Sequence, residues 1–382
     1  MHGQNPEIIQ SASSLAIFDM TGNLPPPVPH VFESEYRWAM QEVLNRDDLA
    51  SLFASHSFNG TERDRAAGAE FVSRRLTEAP DPDQIVITSS TQVALLSLIL
   101  GIVGVGGRLV VDHVTYPSIG QFASFFGYEV IPLPIDAEGM EPEAFRDACR
   151  THSPKAVYST PTLQNPTTGI MSLERRQEIA NIAREYGVTI IEDDIYSLLP
   201  TDQPPPLSAF APEISWYVLG TTKGVAAGLK TCYVVAPSAQ EAKARFWPGV
   251  RATYWMCAPA NVTAVTRLIE SGRIEQIISA VRDETRKRQA MVAEFLAGTG
   301  FRAKREGLHV WLPLPARVAG RRFVKELELL GTRIAPGELY AVGDAAPPNG
   351  VRFGTGKPAS VDDLRMRVEQ IRATYEQLMG DR

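Results

Sequence analysis

Lys223 lies in the run Trp216-Tyr-Val-Leu-Gly-Thr-Thr-Lys-Gly-Val-Ala-Ala-Gly-Leu-Lys-Thr-Cys-Tyr-Val-Val-Ala-Pro237, where two short apolar stretches flank a turn of small residues. The pattern reads as two buried strands with an amine at a strand end, where folds present chemistry. Thr221 and Thr222 put hydroxyls beside that amine, and Gly224, Ala226, Ala227 and Gly228 let the backbone approach a bound group. In Val188-Thr-Ile-Ile-Glu-Asp-Asp-Ile-Tyr196 an apolar run ends in acid, so a carboxylate, Asp193 or Asp194, sits at the carboxyl edge of a buried strand, with Tyr196 close behind. Ser89-Ser-Thr-Gln92 joins the strand pattern Gln84–Thr88 to the apolar helix pattern Val93–Leu100. A turn of that kind presents free N–H groups and a helix dipole to an anion, and it also suits ordinary N-capping. Asn165 lies in the proline-rich loop 159–169, Tyr116 precedes Pro117, and Gly22 and Asn23 sit on a proline-rich arm where backbone donors could meet a ligand.

The elements that would position these groups alternate. Strand patterns at 84–88, 108–112, 128–133, 155–158, 188–193 and 216–219 are separated by helical patterns at 93–100, 118–127, 141–151 and 172–187, which gives an α/β class with a mainly parallel sheet. Helical patterns at 31–55 and 62–78 precede them. A long amphipathic pattern at 260–297 reads as a linking helix into a smaller α+β unit, with strands near 300–304, 308–313 and 351–354 and helices near 318–330 and 360–379. The expected division is an arm and first helix over 1–45, a large α/β domain over 46–255 and a small C-terminal domain over 256–382. Gly101-Ile-Val-Gly-Val-Gly-Gly107 imitates a dinucleotide fingerprint, but it follows a helix and precedes a strand, so it reads as a helix end and turn.

A chain of 382 residues with 44% hydrophobic and 21% charged residues is an ordinary globular composition, long enough for two domains. A net charge of -6 with no dense Lys/Arg run excludes a nucleic-acid surface and leaves a small molecule as the expected ligand. Cys149, Cys232 and Cys257 are too few and too scattered for a disulfide framework or a zinc site. Met1–Gln10 lacks the apolar core of a signal peptide, and no stretch approaches the roughly 20 apolar residues that cross a bilayer. A cytoplasmic protein is expected.

An amine, an acid at a strand end, hydrogen-bond donors and an anion pocket on one sheet edge are together what pyridoxal phosphate requires. The stretches Pro161-Thr-Leu-Gln-Asn-Pro-Thr-Thr-Gly169, Ile190-Ile-Glu-Asp-Asp-Ile-Tyr196, Gly220-Thr-Thr-Lys223 with Gly228-Leu-Lys230, and Gly350-Val-Arg-Phe-Gly354 resemble those of the fold-type I aminotransferases of class I/II. The 2-aminoadipate aminotransferase-like group and the aminotransferase domain of MocR-type regulators are similar in flavour. The resemblance runs from about Gly22 to about Lys357.

It implies that Lys223 forms the Schiff base and moves a proton, that Asp193, with Tyr196 at the family's offset, faces the ring nitrogen, and that Asn165 and Tyr196 hydrogen-bond the ring oxygen. It also implies Tyr116 stacked on the ring, Ser90, Thr91, Gln92, Thr221, Thr222 and Lys230 around the phosphate, and Arg352 on the substrate carboxylate, with Asn165, Gly22 and Asn23 nearby. No metal is implied. Two departures fall on the phosphate pocket: Gly220 stands where many relatives have serine, and Lys230 where they have arginine. The implied activity is transamination between an α-amino acid and a 2-oxo acid by a ping-pong cycle, in a homodimer. Alternatives within the resemblance are a lyase, decarboxylase or oxidase on an amino acid, or a ligand-sensing regulatory domain; against the last, the twenty or so residues before Gly22 are too short for a basic winged-helix segment.

Overall fold

The computed structural model describes residues 17–54, 56–253 and 256–380. The expectation for Met1–Gln10 lies outside the described residues. Among these residues the strands are, in chain order, β1 (Phe18–Asp19), β2 (Ile85–Thr88), β3 (Arg108–Asp112), β4 (Glu129–Leu133), β5 (Ala156–Ser159), β6 (Thr189–Asp193), β7 (Ser215–Gly220), β8 (Cys232–Val235), β9 (His309–Pro313), β10 (Thr332–Arg333), β11 (Ala335–Pro336) and β12 (Gly350–Gly354). The helices are α1 (Pro29–Leu44), α2 (Leu49–Phe53), α3 (Glu62–Ser73), α4 (Thr91–Ile102), α5 (Pro117–Phe126), α6 (Pro142–His152), α7 (Leu173–Tyr186), α8 (Ala239–Glu241), α9 (Trp247–Thr253), α10 (Pro259–Glu270), α11 (Arg273–Phe295), α12 (Gly320–Leu329) and α13 (Val361–Gly380).

Runs that are apolar on both faces are stable only when helices cover both sides. The central sheet has the order β2-β8-β7-β6-β5-β3-β4, and every neighbouring pair is parallel except the two made by β8. Leu109 and Val111 of β3 pack with Leu95, Leu98 and Ile99 of α4 on one face. Val110, between them, packs with Phe145 of α6 and Ile179 and Ala183 of α7 on the other. From β3 the chain steps outward to β4 and then returns to the far side of β3 as β5, so the sheet changes direction between β3 and β5. In open α/β sheets, ligands bind in the crevice outside the carboxyl ends of the strands at such a point.

The smaller sheet, β11-β12-β9, is antiparallel. It shares one apolar core with Phe323 of α12, Leu364 and Ile371 of α13, and Met20 of the arm. The arm is tied to this unit by the parallel pairing of β1 with β10.

Several boundaries differ from the sequence expectations. The 31–55 pattern breaks after Leu44 and resumes as α2 at Leu49, and the next helix stops at Ser73. The 260–297 pattern divides at Ser271–Gly272, where Gly272 adopts φ 71°, a left-handed conformation that no helix interior tolerates. The strand expected at 300–304 is reduced to one bridge between Arg302 and Trp311, because the chain turns again at Gly307. Ser89–Gln92 is less of a turn than expected, since α4 begins at Thr91 with Ser90 as its cap.

Candidate active site

Every chemical group singled out on the large sheet emerges at its carboxyl edge. Asp193 is the last residue of β6, Lys223 lies three residues past β7, Asn165 is in the loop after β5, Tyr116 precedes α5, and Thr91 opens α4 after β2. One cleft is lined by Thr91, Gln92, Tyr116, Asn165, Asp193, Tyr196 and Lys223, and also by Tyr158, Thr160 and Ile195.

The acid end of β6 sorts its carboxylates by the two-residue period of a strand. Glu192 accepts from the backbone N–H groups of Leu207, at 2.9 Å, and Ser208, at 2.6 Å, on the side away from the cleft. Asp194 accepts from Tyr217 at 2.8 Å and from Arg75 at 3.2 Å. Asp193 alone lines the cleft. Its Oδ2 accepts from the Tyr158 hydroxyl at 2.9 Å, and its buried Oδ1 has no partner. Burial pushes this carboxyl up to about 6, opposed by the Tyr158 hydrogen bond and reinforced by the neighbouring Asp194. A cation facing Oδ1 would remove that penalty.

Lys223 donates from Nζ to the backbone oxygen of Asn23. Burial, with repulsion from Arg352 and from Lys230, lowers the amine to about 8, although Asp193 pulls the other way. Tyr196 accepts a hydrogen bond from Asn23 Nδ2 at 2.9 Å, so the tyrosine proton is free to be donated elsewhere. Asn165 and Asn23 each keep a buried, unpartnered Oδ1. Arg352, 3% exposed on β12, donates from Nη1 to Thr21 O, lies over the Tyr340 ring at 5.7 Å, and leaves Nε without a partner.

Unpaired buried polar atoms are costly and uncommon, and here Asp193, Asn165, Asn23 and Arg352 carry them around one site. The groups of the cleft fit pyridoxal phosphate: an amine at Lys223, an acid whose Oδ1 a protonated ring nitrogen would satisfy, and the Tyr196 hydroxyl and Asn165 amide N–H as donors for a ring oxygen. At the phosphate end, the Ser90 hydroxyl caps α4 by accepting from Val93 N at 3.2 Å, which leaves the N–H groups of the first turn for an anion. Gln92 donates to Tyr116 at 3.0 Å and Ser118 at 3.2 Å, fixing the half-buried Tyr116 at the cleft wall.

Two expected phosphate ligands, Thr221 and Lys230, are placed differently. The Thr221 hydroxyl donates to Leu229 O and to Thr231 O, so it holds the turn and does not reach the cleft. Lys230 is exposed and does not line the cleft. Thr222, beside Lys223, is partly buried. At Gly220 a Cβ would lie 3.0 Å from Thr91 Oγ1, so the hydroxyl this position lacks is supplied next to it by Thr91. Gly22 is the floor against which Gly354 packs: a Cβ on Gly354 would stand 2.0 Å from Gly22 O.

Sequence reading missed Tyr158, Thr160, Tyr340 and His309. Tyr158 sits within a fully buried strand, and His309 begins one; a buried run of four or five residues hides which side chain faces a ligand. The signal for Tyr158 was its place as the last residue of the expected 155–158 strand; the parallel register then brings it beside Ile191, two residues before Asp193.

A family model described as aminotransferase class I and II matches residues 20–340. An uncharacterised HTH-type transcriptional regulator of Bacillus subtilis is 26% identical over 98% of this chain and 80% of its own length. A 2-aminoadipate transaminase of Thermus thermophilus is 24% identical over 88% of this chain and 85% of its own. Among solved structures, the alpha-aminoadipate aminotransferase of Thermus thermophilus superposes with a TM-score of 0.84 at 21% identity, covering 95% of this chain and 93% of that one.

Proposed function

The chain belongs to the class I and II aminotransferases and is a pyridoxal-phosphate-dependent transaminase, and from that premise we propose how its own residues divide the work. Bound pyridoxal phosphate supplies an electron sink for the amino acid's Cα. Lys223 is the amine that would hold the cofactor covalently, and its Nζ, lining the cleft and lowered by burial to about 8 when free, is the group placed to move the proton at Cα. Asp193 holds a proton on the ring nitrogen through a charge-assisted bond to the Oδ1 that otherwise lacks a partner. Tyr196 and Asn165 would donate to the ring oxygen, Tyr116 would wall the cleft beside the ring, and the start of α4 with Thr91 and Thr222 would receive the phosphate. Arg352 offers its fork to the α-carboxylate of an amino acid or 2-oxo acid, with Gly22 and Asn23 beside it. The observation that supports this division most strongly is the unpaired Oδ1 of Asp193 in the same cleft as Lys223.

The proposed setting is the cytosol, as a homodimer. Three unpaired cysteines fit a reducing compartment, and among the described residues no helix is long and apolar enough to cross a membrane. Loading with pyridoxal phosphate and adding an amino acid, then a 2-oxo acid, should convert the visible spectrum to the amine form and back. Lys223→Ala should abolish both the covalent band and turnover; a borohydride-reduced protein labelled on another lysine would overturn the assignment. A second reading comes from the regulator that matches 98% of this chain: the same cleft would sense an amino acid without turning it over. Spectral change on adding amino acid with no return on adding any 2-oxo acid would favour that reading.

A further inference from the structure

We propose that His309 is a positioning residue that braces Asn165 and Tyr196, the two donors assigned to the cofactor's ring oxygen, against the strand that carries Arg352. This rests on the transaminase reading above. His309 opens β9 and pairs with Gly354 of β12, while Trp311 pairs with Arg352. Directly opposed residues and those two positions along share a face of a sheet, so His309 and Arg352 lie on one face of the small sheet.

The imidazole is fully buried, and its Nε2 lies 3.1 Å from Gln164 O. A carbonyl oxygen can only accept, so the proton is on Nε2. The bond therefore lands on the peptide immediately before Asn165. Gln164 is fixed from the large domain as well: its Nε2 donates to Val114 O at 2.7 Å and Asp112 Oδ2 at 3.3 Å, and its Oε1 accepts from Thr167 N at 3.0 Å. On its other side, the His309 ring meets the Tyr196 ring with centroids 5.6 Å apart and planes 48° apart.

The chemistry of the ring suits the place. The charged groups facing it are Arg352 from β12 and Lys223 from the turn after β7; both act with burial to push it down to about 3, and the Gln164 hydrogen bond opposes them. The imidazole thus stays neutral at any working pH and adds no third cation beside Arg352 and Lys223. A lysine or arginine would add one. A phenylalanine would keep the ring against Tyr196 and lose the tie to Gln164.

Donors to a ring oxygen favour its ionised form, so loosening them raises the pH at which the bound cofactor's visible band titrates. His309→Phe and His309→Asn both lack a donor at the Nε2 position, whereas the amide of His309→Gln restores one there. In the cofactor-loaded protein, the first two should raise the midpoint by about half to one pH unit, a roughly threefold to tenfold change in the ionisation constant, and His309→Gln should recover at least half of that shift. The melting temperature of each cofactor-free variant reports folding, and either donor-lacking variant suffices if the other does not fold. A midpoint unchanged from wild type in a folded donor-lacking variant, or a His309→Gln shift as large as that of His309→Phe, overturns the proposal: His309 would then only fill space. A wild-type protein that shows no covalent band removes the transaminase reading itself, and this proposal with it.

Discussion

Two adjacent carboxylates, Asp193 and Asp194, make opposite uses of burial. Asp194 is tied to Arg75 and Tyr217, a buried ion pair with its own hydroxyl donor, and belongs to the packing beneath the sheet. Each keeps one buried Oδ1 without a partner, but Asp193 has a single hydroxyl donor, no ion pair and a place in the cleft, so in the cofactor-free protein it is a liability held for chemistry. The paired substitutions should therefore cross. Asp193→Asn should leave the cofactor-free melting temperature equal or higher and cut kcat/KM by about a hundredfold or more, the scale of losing a group that works in the transition state. Asp194→Asn should cost about 3 kcal/mol of stability by leaving Arg75 unpaired, the cost of breaking a buried pair, and should lower activity only through folded fraction. Thermal melts and steady-state kinetics on both variants decide it; equal losses of activity per folded molecule would mean that the strand's alternation does not assign the roles.

At the scale of elements, strand ends were legible and hydroxyls were not. A buried apolar run ending in a chemical residue announces the carboxyl edge of a parallel sheet, which is why Lys223 and the Asp193–Asp194 pair could be put at that edge from pattern, while the choice of Asp193 and the parts given to Asn165 and Tyr116 came from the family resemblance. Ser90 and Thr221 could not, because a hydroxyl near a helix start or a tight turn has backbone groups to bond before any ligand arrives, and spacing does not reveal which it takes. Of the small unit's contribution only Arg352 was legible, through the family resemblance, because Tyr340 and His309 reach the site only through the packing of one unit on another. The arm shows the same dependence. Gly354 N donates to Met20 O at 2.9 Å, and any side chain at Gly354 would displace the arm, since a Cβ there stands 2.0 Å from Gly22 O. Gly354→Ala should cost about 1–3 kcal/mol through overpacking and should raise KM for every α-amino acid by a similar factor, because Thr21 and Asn23 move with Gly22. Gly380→Ala, where a Cβ meets nothing within 4 Å, is the control. An unchanged KM with Gly354→Ala would separate the arm from substrate binding.

For the whole molecule, Asp193 and Lys223 set a pH window. An unfolded aspartate loses its proton near about 4 and the folded one near about 6, so the cost of burying this charge is absent in acid and complete above about 6. An unfolded lysine keeps its proton to about 10 and the folded Lys223 to about 8, so that cost is complete below about 8 and fades as the pH rises beyond it. Both costs are full between about 6 and 8, and a cofactor that engages the amine and faces the acid relieves both. At a fixed cofactor concentration the rise in melting temperature should be largest in that window, because the relief appears as a lower Kd; the linkage is about 2.7 kcal/mol at a hundredfold excess over Kd. Calorimetric melts at pH 5, 7 and 9 test this, and a gain that climbs steadily to pH 9 would contradict it. The arm that reaches this site also carries a consequence in time. The bonds from Asn23 to Tyr196, from Lys223 to Asn23 and from Arg352 to Thr21 close loops of 173, 200 and 331 residues. A ribosome adding about 5–20 residues per second must therefore run for tens of seconds after making Thr21 before Arg352 exists, and for most of that interval β10, which pairs with β1, has not been made either. The site is complete only after the polypeptide has been made as far as β12, and a nascent chain halted at β8 would contain Lys223 and Asp193 and still lack the arginine.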